Sequence, residues 1–427
     1  MVFVGYYLRM GGALSAYFDA SVTDRLLMSL THAPGSGEFV FVVDFDGLLD
    51  ADALRTAWYE TLRRHPIVAC HRGGTGRNPR WVPAEADRTN APLVGGVTMD
   101  NSRWYTRLRL TLDHGAMDGR GGLYVLETLR DRYRFRSETR SADYGARTFR
   151  GVIDAVGFPE VRARRAVQAS NARWSGLATS SHVREESDNP LQGAEVLRYE
   201  LGARGSSRLQ QFARATGTPM TAAIAAALSV AWERASRADT VPRVGGWLVT
   251  NDLRPALGYA GGIGNLSGID AISFASGAAG LRAAMNAAKT SYAELRAAGG
   301  GIASQVLGEQ SSPLLRLPGT SVLTVSSLAI MRQRARYSRI LSNLGRVPDA
   351  LLAWGDASIR DLYVVPPLKG LPYDVFAVSS FAGSLSVVIR LAGSTLTGAF
   401  FAKFRAALHE TFGEAANLLP EAVAIGS

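Results

Sequence analysis

The chain holds one cysteine, Cys70, in 427 residues, so neither an intramolecular disulfide nor a cysteine-built zinc site is available to it. Lysine is nearly as scarce, occurring only at 289, 369 and 403, and the other basic residues are arginines. No segment carries a dense basic stripe on one helical face, and no basic run is interleaved with aromatics. The net charge of +10 therefore predicts no nucleic-acid partner. A basic mouth for a phosphate-bearing cofactor or an acidic carrier protein is compatible with it. No apolar run approaches the ~20 residues of a membrane span. The segment Met1 to Met10 has no basic residue before Arg9, and Gly5, Gly11 and Gly12 interrupt its apolar run, so no signal peptide is expected and a cytoplasmic location follows. Several catalytic signatures are missing too. No Walker sequence occurs, Gly73-Gly74-Thr75-Gly76 does not fit a dinucleotide fingerprint, and in Gly264-Asn265-Leu266-Ser267-Gly268 the serine falls one place late for a nucleophile elbow. Kinase, dehydrogenase and serine-hydrolase readings lose their support.

What is present is an ordinary globular composition, 47% hydrophobic and 20% charged. The length exceeds the ~250–300 residues at which single cores stop growing, so two domains are expected. Phe39 to Val43 is a buried-strand run, and Asp50 reads as the cap of a helix whose Leu54, Trp58 and Leu62 form one stripe and which stops before Pro66. Ile67 to Cys70 reads as a returning strand. From about Arg162 to Gly193 the pattern turns polar and irregular, which sets a linker at 171–194 between units over 1–170 and 195–427. The second unit restarts with a strand at Val196 to Leu201 and a helix opened by Thr218-Pro219 with Ile224, Leu228 and Trp232 on its core face. Strands at Trp247 to Thr250 and Leu385 to Leu391 and a helix over Thr395 to Phe412 follow. The class is α/β.

One segment concentrates chemistry. In Thr106 to Asp113, Leu108, Leu110 and Leu112 share a face and Arg107, Arg109 and Thr111 the other; His114 continues the leucine face at the strand's end. Gly115 to Gly119 is a glycine-bounded turn, and Leu123, Leu126, Leu129 and Tyr133 then recur at helical spacing. An interior imidazole beside a loop is placed where a general base is useful. On an apolar face alone, such a histidine is more often an ordinary core residue. His114 and Asp118 stand four apart, but Gly115 and Gly119 oppose the helix that would aim both at a metal, no third ligand is evident, and no metal site is expected. His65 reads as a helix-end residue, and His32, His71, His182 and His409 have no suitably spaced acidic or cysteine companions.

His114-x-x-x-Asp118-Gly119 resembles the signature of the chloramphenicol acetyltransferase-like acyltransferases, which include peptide-synthetase condensation domains and free-standing bacterial alcohol and polyketide-associated acyltransferases. Gly47 to Leu54 with Arg63-Arg64-His65-Pro66 is similar to that superfamily's first helix and its exit. Arg254-Pro255 with Gly264-Asn265 resembles a segment of its second domain, and Ser342-Asn343-Leu344-Gly345-Arg346 a strand-turn segment of its free-standing members. The four segments occur in family order across nearly the whole chain.

The resemblance implies two similar α/β domains set in a V, a tunnel between them with His114 near its middle, and donor and acceptor entering from opposite mouths. It implies transfer of an acyl group from a coenzyme A or phosphopantetheinyl carrier-protein thioester, as co-substrate rather than permanently bound cofactor, to a hydroxyl or amine of a lipid or specialised metabolite. The Gly119 N–H, Ser342 or Asn343 would then stabilise the oxyanion, Gly264 and Asn265 would contact substrate or form a loop hinge, and Asp118 would pair with an arginine and fix the loop. Gly119 is expected to permit a tight turn. Asp113 replaces the first histidine usual in condensation domains, which weakens the peptide-synthetase branch and leaves the proposed base intact. Two alternatives stay open: a non-catalytic carrier-protein docking module, and the same fold redeployed for cyclisation.

Overall fold

The structure, a computed structural model, describes residues 18–30, 37–75, 78–83, 93–135, 147–176, 195–236, 243–259, 261–276, 280–311, 339–367, 374–391 and 398–417. The chain runs through β1 (Phe18–Asp19), α1 (Val22–Leu30), β2 (Glu38–Asp46), α2 (Ala51–Arg64), β3 (Cys70–Thr75), β4 (Asn78–Pro83), β5 (Gly95–Asn101), β6 (Tyr105–Asp113), α3 (Gly119–Phe135), α4 (Phe149–Ala155) and α5 (Glu160–Gly176). It continues with β7 (Glu195–Glu200), α6 (Gly202–Thr216), α7 (Met220–Ser236), β8 (Arg243–Asp252), α8 (Arg254–Leu257), β9 (Ser267–Ser276), α9 (Gly280–Ala297) and α10 (Ile302–Ser311). The last elements are β10 (Arg339–Arg346), β11 (Ala353–Trp354), β12 (Ala357–Val365), β13 (Asp374–Phe381), β14 (Ser384–Leu391) and α11 (Gly398–Asn417).

Two larger sheets organise these elements. The first has the order β11-β12-β2-β6-β5 with every neighbour antiparallel. The second has the order β7-β14-β13-β10-β8-β9, in which β10 runs parallel to both β13 and β8. A three-stranded sheet, β1-β4-β3, lies beside the first. The strand that delivers His114 shows the expected alternation: Leu108, Leu110 and Leu112 are fully buried, whereas Arg109 is exposed. On the other face Arg107 donates to both carboxylate oxygens of Asp44 directly across the ladder, at 2.6 and 2.8 Å.

The helices follow from their patterns. Asp50 caps α2, its carboxylate accepting the Ala53 N–H at 2.7 Å, and Leu54 and Leu62 are buried. In α3, Leu123, Leu126 and Leu129 face the first core, and Gly122 lets the helix lie flush on the sheet: a Cβ there would fall 2.6 Å from Phe41 and 2.9 Å from Leu112. Nearly every side chain of α7 is buried, the mark of a helix apolar on all sides. Ile224, Leu228 and Trp232 all lie in the second core.

Three details depart from the sequence reading. Pro66–Ala69 forms a 3-10 turn, with the strand starting only at Cys70, because proline supplies the first-turn φ and lacks an N–H. The polar stretch after Arg162 is helical through Gly176; its inward face is mostly alanine, Ala163 and Ala166 packing with Ile302 and Val306, which gives little periodic signal. Residues 177–194 of the expected linker lie outside the described residues. Finally, β11 and β12, assigned by sequence to the second unit, complete the first sheet, with Leu362 and Val364 in the first core. Among the described residues, no helix is long and apolar enough to cross a membrane.

Candidate active site

Strand β6 ends at Asp113 and α3 starts at Gly119; the turn between them carries His114. Nearly every main-chain group of this turn is held. The His114 N–H donates to Gly37 O at 2.9 Å, and the Ala116 N–H to Asp113 O at 3.0 Å. The Asp113 carboxylate accepts the Gly115 N–H at 2.7 Å and a two-pronged pair from Arg72 at 2.6 and 2.7 Å. Asp113 thus braces the turn from the residue before the imidazole. Across the ladder stands Glu38, whose carboxyl is pushed up by burial and then by the Asp113 charge, against the pull of Arg72. The His114 ring is half-buried and meets Phe39 edge-on at 5.5 Å between centroids. Its Nδ1 is buried and has no hydrogen-bond partner.

Asp118 faces the other way, into the junction between the halves of the chain. Its two oxygens accept from Arg254 at 3.0 and 3.1 Å, from the Gly121 N–H at 2.8 Å, from the Leu266 N–H at 2.9 Å and from the Ser267 hydroxyl at 3.1 Å. Burial alone would raise this carboxyl, but the Arg254 charge and the hydrogen bonds outweigh it and hold the group below the usual carboxylate range. The bond to Gly121, with the Gly122 N–H on Asp118 O at 3.0 Å, makes Asp118 the N-cap of α3. Asp118 therefore caps the helix and joins it to α8.

A second clamp holds the turn from behind. Asn265 donates to Gly115 O at 2.8 Å and Arg147 to Ala116 O at 3.0 Å. Both also donate to Asp24, a carboxylate only 1% exposed that further accepts the Trp81 indole N–H at 3.0 Å. Gly264 O accepts the Asp118 N–H at 3.2 Å, and a Cβ on Gly264 would fall 2.1 Å from Arg147 O. Gly264 and Asn265, offered by sequence as substrate contacts, are thus buried parts of the scaffold under His114. Glycine at 264 is required by the close approach of another backbone.

The remaining sequence candidates divide. Gly119 opens α3 with φ outside the left-handed region, so the turn does not need glycine for its dihedral; a Cβ there would lie 3.2 Å from Leu344 Cδ1, a close approach. Ser342 and Asn343 take opposite faces of β10, and a register shift between Asn343 and Gly345 sets Leu344 at an irregularity of the strand. Asn343 donates to Thr221 on α7 at 3.1 Å and accepts the Gly345 N–H at 2.9 Å, which turns it toward α7. Of the two side chains offered as oxyanion donors, Asn343 is committed to α7 and Ser342 takes the opposite face of the strand. The Ser342 hydroxyl accepts from Thr250 at 3.2 Å.

His65 bonds Thr128 through Nε2 at 2.9 Å, and burial, then Arg64 and Arg132, lower it to about 3. Burial pushes the Cys70 thiol up to about 12, so it is no nucleophile. His32 and His182 lie outside the described residues, and His409 is exposed on α11. Asp24, Arg72 and Arg147 had drawn no attention in the sequence. Arg72 lies 41 positions from Asp113, and Asp24 lies 123 from Arg147 and 241 from Asn265; no local pattern marks such pairs.

No protein-family model and no curated protein matches the chain. Solved structures do. Polyketide synthase associated protein 5 from Mycobacterium tuberculosis superposes over 93% of this chain and 98% of its own, with TM-score 0.63 and 17% identity. Trichothecene 15-O-acetyltransferase from Fusarium sporotrichioides matches over 94% and 96%, with TM-score 0.66 and 11% identity. The first condensation domain of the CDA synthetase matches over 95% and 98%, with TM-score 0.64 and 14% identity. The chain has the condensation-domain fold. In this condensation-domain fold, also that of the chloramphenicol acetyltransferase-like enzymes, the His114 turn sits where the two large sheets approach, with β10 of the second reaching Gly119.

Proposed function

We propose that the protein is an acyltransferase that moves an acyl group from a coenzyme A or carrier-protein thioester to a hydroxyl or amine of a lipid or specialised metabolite. The observation that carries this reading is His114: a half-buried imidazole at a strand end, with no bond to any described side chain, on a turn whose main chain is clamped from both halves. Such a ring is free to exchange a proton while its position is fixed, as general base catalysis demands. His114 takes the proton from the acceptor as its oxygen or nitrogen attacks the thioester carbonyl. The tetrahedral intermediate expels the thiolate, which receives that proton, so no acyl-enzyme forms. The Gly119 N–H belongs to the first turn of α3, whose donors lack intrahelical partners, and with Ser342 it is the donor assigned to the oxyanion. Donor and acceptor reach the ring through a passage between the halves. Asp118 touches neither; it acts by fixing the turn.

The test is thiol release and intact product mass when purified protein is incubated with a panel of acyl thioesters and acceptors. A His114→Ala variant should lose ~10²-fold or more in turnover and keep its thermal unfolding midpoint. Unchanged turnover in that variant rejects the mechanism. Saturable carrier-protein binding without transfer across the panel points to a docking module instead, and a product lighter by water or isomeric with its substrate points to cyclisation.

A further inference from the structure

The Asp113 carboxylate serves two partners at once. Its Oδ1 accepts the Gly115 N–H and one prong of Arg72, both at 2.7 Å, and its Oδ2 accepts the other prong at 2.6 Å. Gly115 follows His114 directly, so the place of this one oxygen sets the peptide unit from which the imidazole leaves the strand. The two-pronged arginine fixes the carboxylate in plane and in distance.

A second carboxylate makes the arginine necessary. Glu38 is the direct partner of Asp113 across the β2–β6 ladder, where facing side chains share one side of the sheet and like charges repel. The Asp113 charge pushes the Glu38 carboxyl up and Arg72 pulls it down, so both acids feel the same guanidinium. With Arg72 removed, Asp113 and Glu38 face each other uncompensated. Asp113 then swings away or takes up a proton, and in either case its hold on the Gly115 N–H weakens.

Arg72 also starts from a firm base. It stands on β3 directly opposite Trp81 of β4. Trp81 is fully buried under the same turn, where a Cβ on Gly115 would fall 3.3 Å from its ring. The main chain is tied across as well: the Val94 N–H donates to Cys70 O and the Asp113 N–H to Val94 O, each at 2.7 Å. The small sheet therefore carries both the arginine and the floor of the turn.

We propose that Arg72 is a positioning residue for the His114 base: as shared counter-ion of Asp113 and Glu38, it keeps the Asp113 carboxylate on the Gly115 N–H and so fixes where the imidazole stands. The role in turnover rests on the acyl-transfer reading of His114; the role in placing the ring does not.

Two readouts test it on the full chain. The first is kinetic, with the best thioester and acceptor pair that the wild type uses. Arg72→Met should lower kcat roughly tenfold or more and leave KM within about threefold, since a displaced base loses rate without losing substrate contacts. In an Asp113→Asn background the same substitution should change kcat by less than about threefold, because Arg72 acts through Asp113. Adding Glu38→Gln to Arg72→Met removes the repulsion and should restore part of the rate. The second readout is the His114 ring Cε1–H resonance, assigned by its loss in His114→Ala. It should move by more than its linewidth in Arg72→Met and return toward the wild-type position when Glu38→Gln is added, while the His409 resonance stays in place. If Arg72→Met does not fold, Arg72→Lys, which keeps the charge without the two-pronged geometry, carries the same comparisons. A kcat within about threefold of wild type, a loss just as deep in the Asp113→Asn background, or an unmoved His114 resonance overturns the proposal. A wild type that transfers nothing removes the acyl-transfer reading alone, and the resonance then decides the positioning role by itself.

Discussion

Replacing Arg254 with Met keeps the side-chain bulk of the junction and removes its charge. The substitution deletes two bonds to Asp118, one to Asp252 at 3.1 Å and those to Gly262 O and Gly264 O at 3.1 and 3.2 Å. Breaking one half of a buried pair costs ~3–5 kcal/mol, because the stranded charge stays desolvated. Asp118 keeps three donors, Gly121 N–H, Leu266 N–H and the Ser267 hydroxyl, which favours the lower end. The carbonyl of Gly262 loses a partner, adding ~1 kcal/mol, so a loss of about 4 kcal/mol is expected at neutral pH. That is a large part of the ~5–15 kcal/mol of a typical fold.

Urea unfolding followed by fluorescence of the seven tryptophans measures it. The pH dependence has a definite sign. In the wild type, Asp118 titrates below its ordinary value of 3.8, so its stabilisation is complete above that value and lost as pH falls through the folded pKa. In Arg254→Met, burial governs and the carboxyl moves up, so lowering the pH neutralises the stranded charge. The gap between the two proteins should therefore narrow on acidification. A neutral-pH loss below about 1 kcal/mol, or a gap that widens in acid, refutes the assignment of this pair as the junction's clamp.

His65 gives a second pH signature. It titrates near 6.5 when unfolded and near 3 when folded, so the unfolded chain takes up a proton that the native state refuses as pH falls below 6.5. Its share of the stability lost between pH 6.5 and 5 is about 2 kcal/mol, and His65→Gln should remove that share in paired urea titrations. Gly264→Ala drives a Cβ into Arg147 O, where backbone meets backbone, and should cost ~1–3 kcal/mol or more by calorimetry; an unchanged midpoint would deny the close approach. Asn265→Ala frees Gly115 O and should cost ~1–3 kcal/mol. In the transfer assay it should lower kcat with little change in KM, since it moves the base and touches no substrate.

The parts of this molecule written at short range were legible in its sequence. The alternation of Leu108, Leu110 and Leu112 placed His114 at a buried strand end, and Asp50 marked the start of α2. What escaped is non-local. Asp24 meets Arg147 and Asn265 across more than a hundred residues, and no period in the chain marks that encounter. Helix α5 was missed because alanines carry its inward face, and for Gly264 and Asn265 the sequence left substrate contact and loop hinge both open because a glycine-rich loop looks the same whether it greets a ligand or a neighbouring backbone. Ser342 and Asn343 were offered as alternative oxyanion donors, and as adjacent strand residues they point apart.

The loan of β11 and β12 to the first sheet ties the two halves in a way that no linker length can undo. A fragment stopping at 194 would leave β2 with its outer row of N–H and C=O groups bare, a template for pairing with other chains. On the ribosome the same edge waits, open, until Val365 has emerged. Attempts to express the His114 half alone should give aggregate, and exchange of halves between such proteins must carry residues 353–365 with the first half.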